Sequence, residues 1–274
     1  MQLTLLEEPH DRVDLRFYLG THMSPWLHNG HARGPLFVSI RRLRSRVSPF
    51  PAATGPDAID SGAYTELAQH GEWKTTPKQY VADIRRVVAS LGMPDFVVAQ
   101  DYMCDPGTLA ATGLTVDEHQ RRSVDNAVAL RELAPEIRWL PVLQGASARD
   151  YLRHGAMYEA ASVPLRDSLV GLGSIVRRQH RPEVAYLARE LSEGGLRLHG
   201  FGVKVSGVGL LGRYLASCDS IAWSYWARRD GVQGAANSQN VAEAYRDVVD
   251  AVAAGRGSTV AMDRFLASMG PDCS

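Results

Sequence analysis

The chain has 274 residues, 45% of them hydrophobic and 22% charged, and its 30 Lys and Arg balance 30 Asp and Glu to a net charge of zero. That length suits two small domains or one barrel of about 250 residues. No segment approaches the roughly 18 uninterrupted apolar residues of a membrane span, and zero net charge lacks the basic excess that a nucleic-acid binder usually carries.

The N-terminus, MQLTLLEEPHDRVD, is acidic early and has no basic stretch ahead of an apolar core, so no signal peptide is expected. From there a short apolar or β-branched run recurs, ending in a polar residue or glycine. The runs are Leu15–Thr21, Leu36–Ile40, Ala58–Tyr64, Asp95–Asp101, Ile137–Gln144, Ser168–Ser174, Leu196–Val203 and Ser217–Ser224. Near-continuous apolar runs of this length suit parallel strands buried on both faces.

Helical stretches fit between the later runs. Thr76-Pro77 is an N-cap and first-turn pair, followed by Tyr80, Ile84, Val87, Val88 and Leu91 at helical spacing. Thr115 with Glu118 forms a capping box ahead of Val124, Val128 and Leu130. Ser147–Ser162, Pro182–Glu193 and Val208–Ala216 read as three more helices. The first two connections are irregular: Ser24–Pro35 is rich in Pro, His and Gly, and Arg41–Pro56 holds three prolines and a glycine. The stretch from Gln239 onward reads as one or two helices packed outside. Alternating β and α predicts a parallel sheet with crossover helices. Eight strands in this length favour closure. The expectation is an α/β chain, residues 1–274 forming a single (β/α)8 TIM barrel domain, with a C-terminal helical extension over about 238–274.

In such a barrel the active site lies at the carboxyl ends of the strands. Those ends here present Asp60-Ser61-Gly62, Gln100-Asp101, Gln144-Gly145, Gly171-Leu172-Gly173-Ser174, His199-Gly200-Phe201-Gly202 with Lys204, and Asp219. Singly, each reads as a turn, a cap or a bend. Together, three carboxylates and a carboxamide would face one small volume, and burying carboxylates together is costly without a role. Such a set suits glycosyl transfer, in which one carboxylate attacks the anomeric carbon and a second shuttles a proton to the leaving base. An Asp and a Gln can also read a guanine edge.

The strings FYLGTHMSPWL (17–27), DSGAYTEL (60–67), VAQDYMCDP (98–106), PVLQG (141–145), VGLGS (170–174), LHGFGVK (198–204) and SCDSIAWSYWARR (217–229) stand in order and at barrel spacing. With them the chain resembles the tRNA-guanine transglycosylase superfamily across nearly all eight strands. It is most similar to the short phage and actinobacterial branch that inserts 7-deazaguanine into DNA. The resemblance implies Asp219 as the nucleophile and Asp60 as the general acid/base. It implies Tyr64 as a stacking face for the base, Asp101 and Gln144 as the guanine-reading pair, and backbone hydrogen bonds to the base from Gly171 and Leu172. His199, with Gly200, would form the opposite face, as a shape contact rather than a base; Lys204 has a minor reading as an imine-forming nucleophile.

The basic residues are nearly all arginine, with lysine only at 74, 78 and 204. Arginine suits phosphate forks. Arg41, Arg42 and Arg44, with Arg177, Arg228, Arg229 and Lys204, are the candidate nucleic-acid contacts, against the plainer reading of solvated faces. The tRNA enzymes carry a Cys/His zinc site after the last strand. Here 231–245 reads GVQGAANSQNVAEAY, and Cys273 alone cannot make a tetrahedral site, so no zinc subdomain and no cofactor is expected. His22, His28 and His31 share a loop at a spacing that fits no standard metal site. Cys104, Cys218 and Cys273 form no CxxC, which points to a reducing cytoplasm. The expected reaction replaces guanine with a 7-deazaguanine such as 7-cyano-7-deazaguanine in DNA. The alternatives are a tRNA or small-nucleoside substrate, glycosidic hydrolysis, or a non-catalytic nucleic-acid-binding subunit. The expected partners are DNA and the base, with a homodimer or a partner protein left open.

Overall fold

Among the described residues nine parallel strands form, because Pro141 divides the fifth expected run into two short pieces. They are β1 (Arg16–Thr21), β2 (Leu36–Ser39), β3 (Asp57–Asp60), β4 (Val97–Val98), β5 (Trp139–Leu140), β6 (Val142–Leu143), β7 (Leu169–Leu172), β8 (Arg197–Gly200) and β9 (Ser217–Ser220). Their order is β5-β4-β3-β2-β1-β9-β8-β7-β6. Since β5 and β6 flank Pro141 in the chain, the sheet nearly closes into a barrel. Proline has no N–H for the ladder, but the Pro141 carbonyl still accepts from Gly171 N at 2.8 Å and carries the pairing across the break. The computed structural model describes residues 14–30, 32–166, 168–229, 238–255, 262 and 265, with residues 226–229 described by backbone alone.

The helices are α1 (Ile40–Leu43), α2 (Ala63–His70), α3 (Pro77–Leu91), α4 (Pro106–Thr112), α5 (Val116–Leu133), α6 (Ala148–Ala160), α7 (Pro182–Glu193), α8 (Val205–Leu211), α9 (Ala222–Arg229) and α10 (Gln239–Ala253). Thr76 with Gln79 and Thr115 with Glu118 form reciprocal capping boxes that start α3 and α5. Each satisfies backbone donors that a helix start leaves unpaired. The first two connections hold only a short 3-10 turn at Ser24–Leu27 and the single turn of α1, as their prolines and glycines suggest.

Three differences from the sequence expectation have local causes. The third run ends as a strand at Asp60, because Gly62 turns the chain at φ +80° and α2 starts there. The eighth ends at Ser220, and α9 begins two residues later. The helix expected over Val208–Ala216 begins earlier, at Val205, and tightens into a 3-10 turn at Gly212–Tyr214. The C-terminal extension is described as far as α10. Its buried Arg246 ties it down, with the guanidinium donating to Phe17 O at 3.2 Å and Pro35 O at 2.9 Å. Among the described residues no helix is long and apolar enough to cross a membrane.

Period-2 alternation sorts the strand side chains into two layers. Tyr18, Phe37, Ala58, Phe96, Val98, Leu140 and Val142 fill the barrel interior as one apolar cluster. Leu19, Leu36, Val38, Ile59, Val97 and Cys218 face outward into the core shared with the helices. On β9 the same alternation turns Cys218 out and Ser217 and Asp219 in. The interior cluster closes the barrel from below, and Asp60, Asp101, Gln144 and Asp219 stand above it at the carboxyl ends.

Candidate active site

A cavity of about 580 Å³ opens at the carboxyl ends of the strands, and Asp60, Asp101, Gln144 and Asp219 all line it. That size lies within the ordinary range of ligand pockets, about 300–1,000 Å³. Asp60 ends β3, and its Oδ2 accepts from Gly62 N at 3.0 Å. Gly62 is required twice over, by its positive φ and because a Cβ there would lie 2.7 Å from Arg41 Cδ. Burial, and then the charge of Asp219, push the Asp60 carboxyl up to about 6.

Asp219 is the third residue of β9, and 7% of its surface is exposed. Its Oδ1 accepts from Gly202 N at 3.0 Å, which holds one oxygen. Gly202 can offer that N–H because it takes a turn conformation at φ +60° just beyond β8.

Asp101 and Gln144 come from different strand ends and meet directly. Gln144 Nε2 donates to Asp101 Oδ2 at 2.5 Å. Gln144 Oε1 accepts from Ser174 Oγ at 2.6 Å, and Ser174 Oγ accepts from Cys104 N at 2.8 Å. The carboxamide is therefore fixed with its amine toward Asp101 and one amine hydrogen to spare. Burial raises the Asp101 carboxyl to about 7, against the hydrogen bond from Gln144, which lowers it. Trp73 Nε1 donates to the Asp101 carbonyl at 3.0 Å and pins the loop that carries it.

The lining on β7 and β8 lies one inward-facing step beyond the residues named from sequence. Gly171, Leu172, His199 and Gly200 are buried outside the lining, and Gly173, Ser174, Phe201 and Gly202 line the cavity. Gly173 admits Gln144, since a Cβ there would come within 2.2 Å of Gln144 Nε2. Ser174 holds φ +55°, a strained value for a non-glycine residue. The polar end of the VGLGS string was the signal for Ser174; nothing in the sequence marked it as the clamp on Gln144. Tyr64, in the first turn of α2, is 55% exposed and lines the cavity on the β3 side.

The candidate phosphate contacts separate. Arg41 and Arg42 line the cavity. Arg44 turns away, donating to Thr75 Oγ1 at 3.0 Å and lying 3.9 Å from Glu66 Oε2. Arg177 and Lys204 are exposed away from the lining. Arg178, beside Arg177, is spent on the fold: it donates to the carbonyls of Gly145, Ala146 and Ser174. The side chains of Arg228 and Arg229 lie outside the described residues, as do His31 and Cys273. His22 lines the cavity and stacks on Trp223 at 6.4 Å. Cys104 and Cys218 are buried free thiols. Among the described residues no three His, Cys, Asp or Glu side chains form a group able to hold a metal ion.

A family model described as DpdA, DeoxyPurine in DNA protein A, matches residues 13–253. No curated protein matches the chain.

Proposed function

The chain belongs to the DpdA family, a tRNA-guanine transglycosylase-like family, and from that premise we propose that it exchanges guanine in DNA for a 7-deazaguanine through a covalent aspartyl-glycosyl intermediate. The family implies a DNA-modifying, transglycosylase-like activity with DNA as the substrate. The observation that carries the finer reading is the meeting of Asp60, Asp101, Gln144 and Asp219 on one cavity.

In the first half, Asp219 Oδ2 attacks C1′ of the deoxyribose. The C1′–N9 bond breaks, its electron pair goes to the base, and neutral Asp60 protonates the departing guanine. Asp219 is then an ester of the sugar and Asp60 a carboxylate. In the second half, Asp60 takes the N9 proton of the incoming 7-deazaguanine, N9 bonds to C1′, and Asp219 leaves with the electrons of its C–O bond. Asp60 returns to its acid form, and no net proton is consumed. A carboxyl raised to about 6 can serve in both directions near neutral pH.

Asp101 accepts from N1–H and the exocyclic amine of guanine, and the spare amine hydrogen of Gln144 donates to O6. A 7-deazaguanine presents the same edge, so one reader serves both bases. Tyr64 covers one face of the base, with Phe201 on the β8 side of the cavity. Since Asp219 and Asp101 are buried, the target nucleotide leaves the duplex stack to reach them. On this reading the enzyme is a pentosyltransferase, and 7-cyano-7-deazaguanine is a natural incoming base.

The test offers labelled guanine with DNA, tRNA or a free nucleoside as acceptor. Label in DNA, abolished by Asp219→Asn with guanine binding intact, is the expected result. Label only in tRNA or only in the nucleoside overturns the substrate, and full exchange by Asp219→Asn overturns the nucleophile.

A further inference from the structure

The barrel floor beneath Asp219 holds a polar residue that the exchange above does not use. His199 is completely buried. Its ring sits in a box of aromatic side chains, with centroids 5.0 Å from Phe96, 4.9 Å from Phe201, 5.7 Å from Phe37 and 5.9 Å from Tyr18. An imidazole in such a box is costly unless its nitrogens have work. Nδ1 lies 2.8 Å from Ser217 Oγ. Nε2 has no hydrogen-bond partner and stands 3.4 Å from Asp219 Oδ1.

This placement follows from strand register. His199 pairs with Ser217 across β8 and β9. Ser217 and Asp219 are two residues apart on β9, so both point into the barrel. The imidazole spans the step between them. The oxygen it faces is the one that already accepts from Gly202 N at 3.0 Å.

We infer that His199 is a positioning residue for the nucleophile: its Nε2–H holds Asp219 Oδ1 and leaves Oδ2 to bond the sugar. This rests on the reading of Asp219 as the nucleophile. The proton's place follows from electrostatics. With the proton on Nδ1, the ring would donate to Ser217 and aim the Nε2 lone pair at an anionic oxygen 3.4 Å away, in an interior that screens little. With the proton on Nε2, that contact turns attractive, and the Ser217 hydroxyl donates to Nδ1. The contact is long before substrate binds and shortens as the site closes on the sugar.

The effect is unequal between the two halves of the exchange. When Oδ2 bonds to C1′, Asp219 becomes a neutral ester and Oδ1 its carbonyl oxygen. When the incoming base displaces it, the C1′–Oδ2 electron pair returns to the carboxylate and charge reappears on both oxygens. A donor already placed at Oδ1 stabilises that departing charge. His199 neither gains nor loses a proton in either half. Its removal therefore slows resolution of the ester more than its formation.

Two measurements test this. The first is ¹⁵N NMR of His199 in the wild-type protein and in Asp219→Asn, which needs no turnover. The expected result is the Nε2-protonated tautomer, with its signal shifted by Asp219→Asn; an Nδ1-protonated ring, or a signal indifferent to Asp219→Asn, overturns the inference. The second compares wild type, His199→Phe and His199→Gln in single-turnover exchange, with trapping of the covalent adduct. Phe keeps the aromatic packing and removes the donor. We expect turnover to fall about tenfold or more, guanine affinity to stay unchanged and the adduct to accumulate, with partial recovery in Gln. Folded His199→Phe with wild-type turnover and adduct levels overturns the inference alone. Loss of the adduct from wild type itself strikes the reading of Asp219, and the NMR result still decides His199.

Discussion

Gln144 donates directly to Asp101 at 2.5 Å, and the space for that bond is made by Gly173, whose absent Cβ would sit 2.2 Å from Gln144 Nε2. The base reader is thus set by three strand ends at once. Gly173→Ala is expected to displace the Gln144 amide while leaving Asp60 and Asp219 in place. Guanine affinity, measured calorimetrically, should fall about tenfold or more, the scale of a buried hydrogen bond left unmade. Unchanged affinity would show that Gln144 does not read the base.

Asp101 makes folding pH-dependent in a stated direction. Its carboxyl is held at about 7 by burial, above the ordinary carboxylate value. The native state therefore keeps a proton that the unfolded chain releases, and stability falls as pH rises from about 4 to about 7. Asp101→Asn removes that cost and can still accept from Gln144. The variant should exceed wild type by on the order of 2 kcal/mol at pH 8, or about 4–8 °C in Tm. At pH 4 and below the two should nearly coincide. A difference of the opposite sign, or one independent of pH, would mean that Asp101 is ionised throughout. The same proton opposes base reading, so guanine binding to wild type should tighten as pH rises through about 7.

Asp60 sets the pH dependence of the first half-reaction. Its acid form protonates the leaving guanine, and burial with the Asp219 charge places its carboxyl at about 6. Single-turnover formation of the covalent adduct should fall about tenfold per pH unit above that value. Asp60→Asn should abolish the adduct with natural guanine. An adduct rate flat from pH 5 to 8 would remove Asp60 as the acid.

Arg42 and Arg44 stand two residues apart and face different tasks. Arg42 is exposed at the cavity, whereas Arg44 is committed to Thr75 and Glu66. Arg42→Ala should lower the salt dependence of DNA binding by about one ion and weaken binding alike across sequences. Arg44→Ala should lower Tm and leave that slope unchanged. Equal slopes in both variants would put the DNA backbone elsewhere on the surface.

Much of this molecule is legible in one dimension. The eight apolar runs fall on the strands, and the N-cap at Thr76 and the capping box at Thr115 start the helices they announce, because period and capping are local properties of the chain. Asp60, Asp101, Gln144 and Asp219 could be named for the same reason: Asp101 and Gln144 close readable runs, and Asp60 and Asp219 lie within them. What the chain could not reveal was depth and direction. Whether Gly171 or Gly173, His199 or Phe201, reaches the cavity depends on how far each strand rises in the closed barrel, a matter of register between neighbours. Whether Arg42 or Arg44 faces the cavity depends on where Glu66 and Thr75 arrive from later in the chain. Only closure of the barrel brings Ser217, His199 and Asp219 into one line, since the contact runs between strands and no spacing along the sequence encodes it.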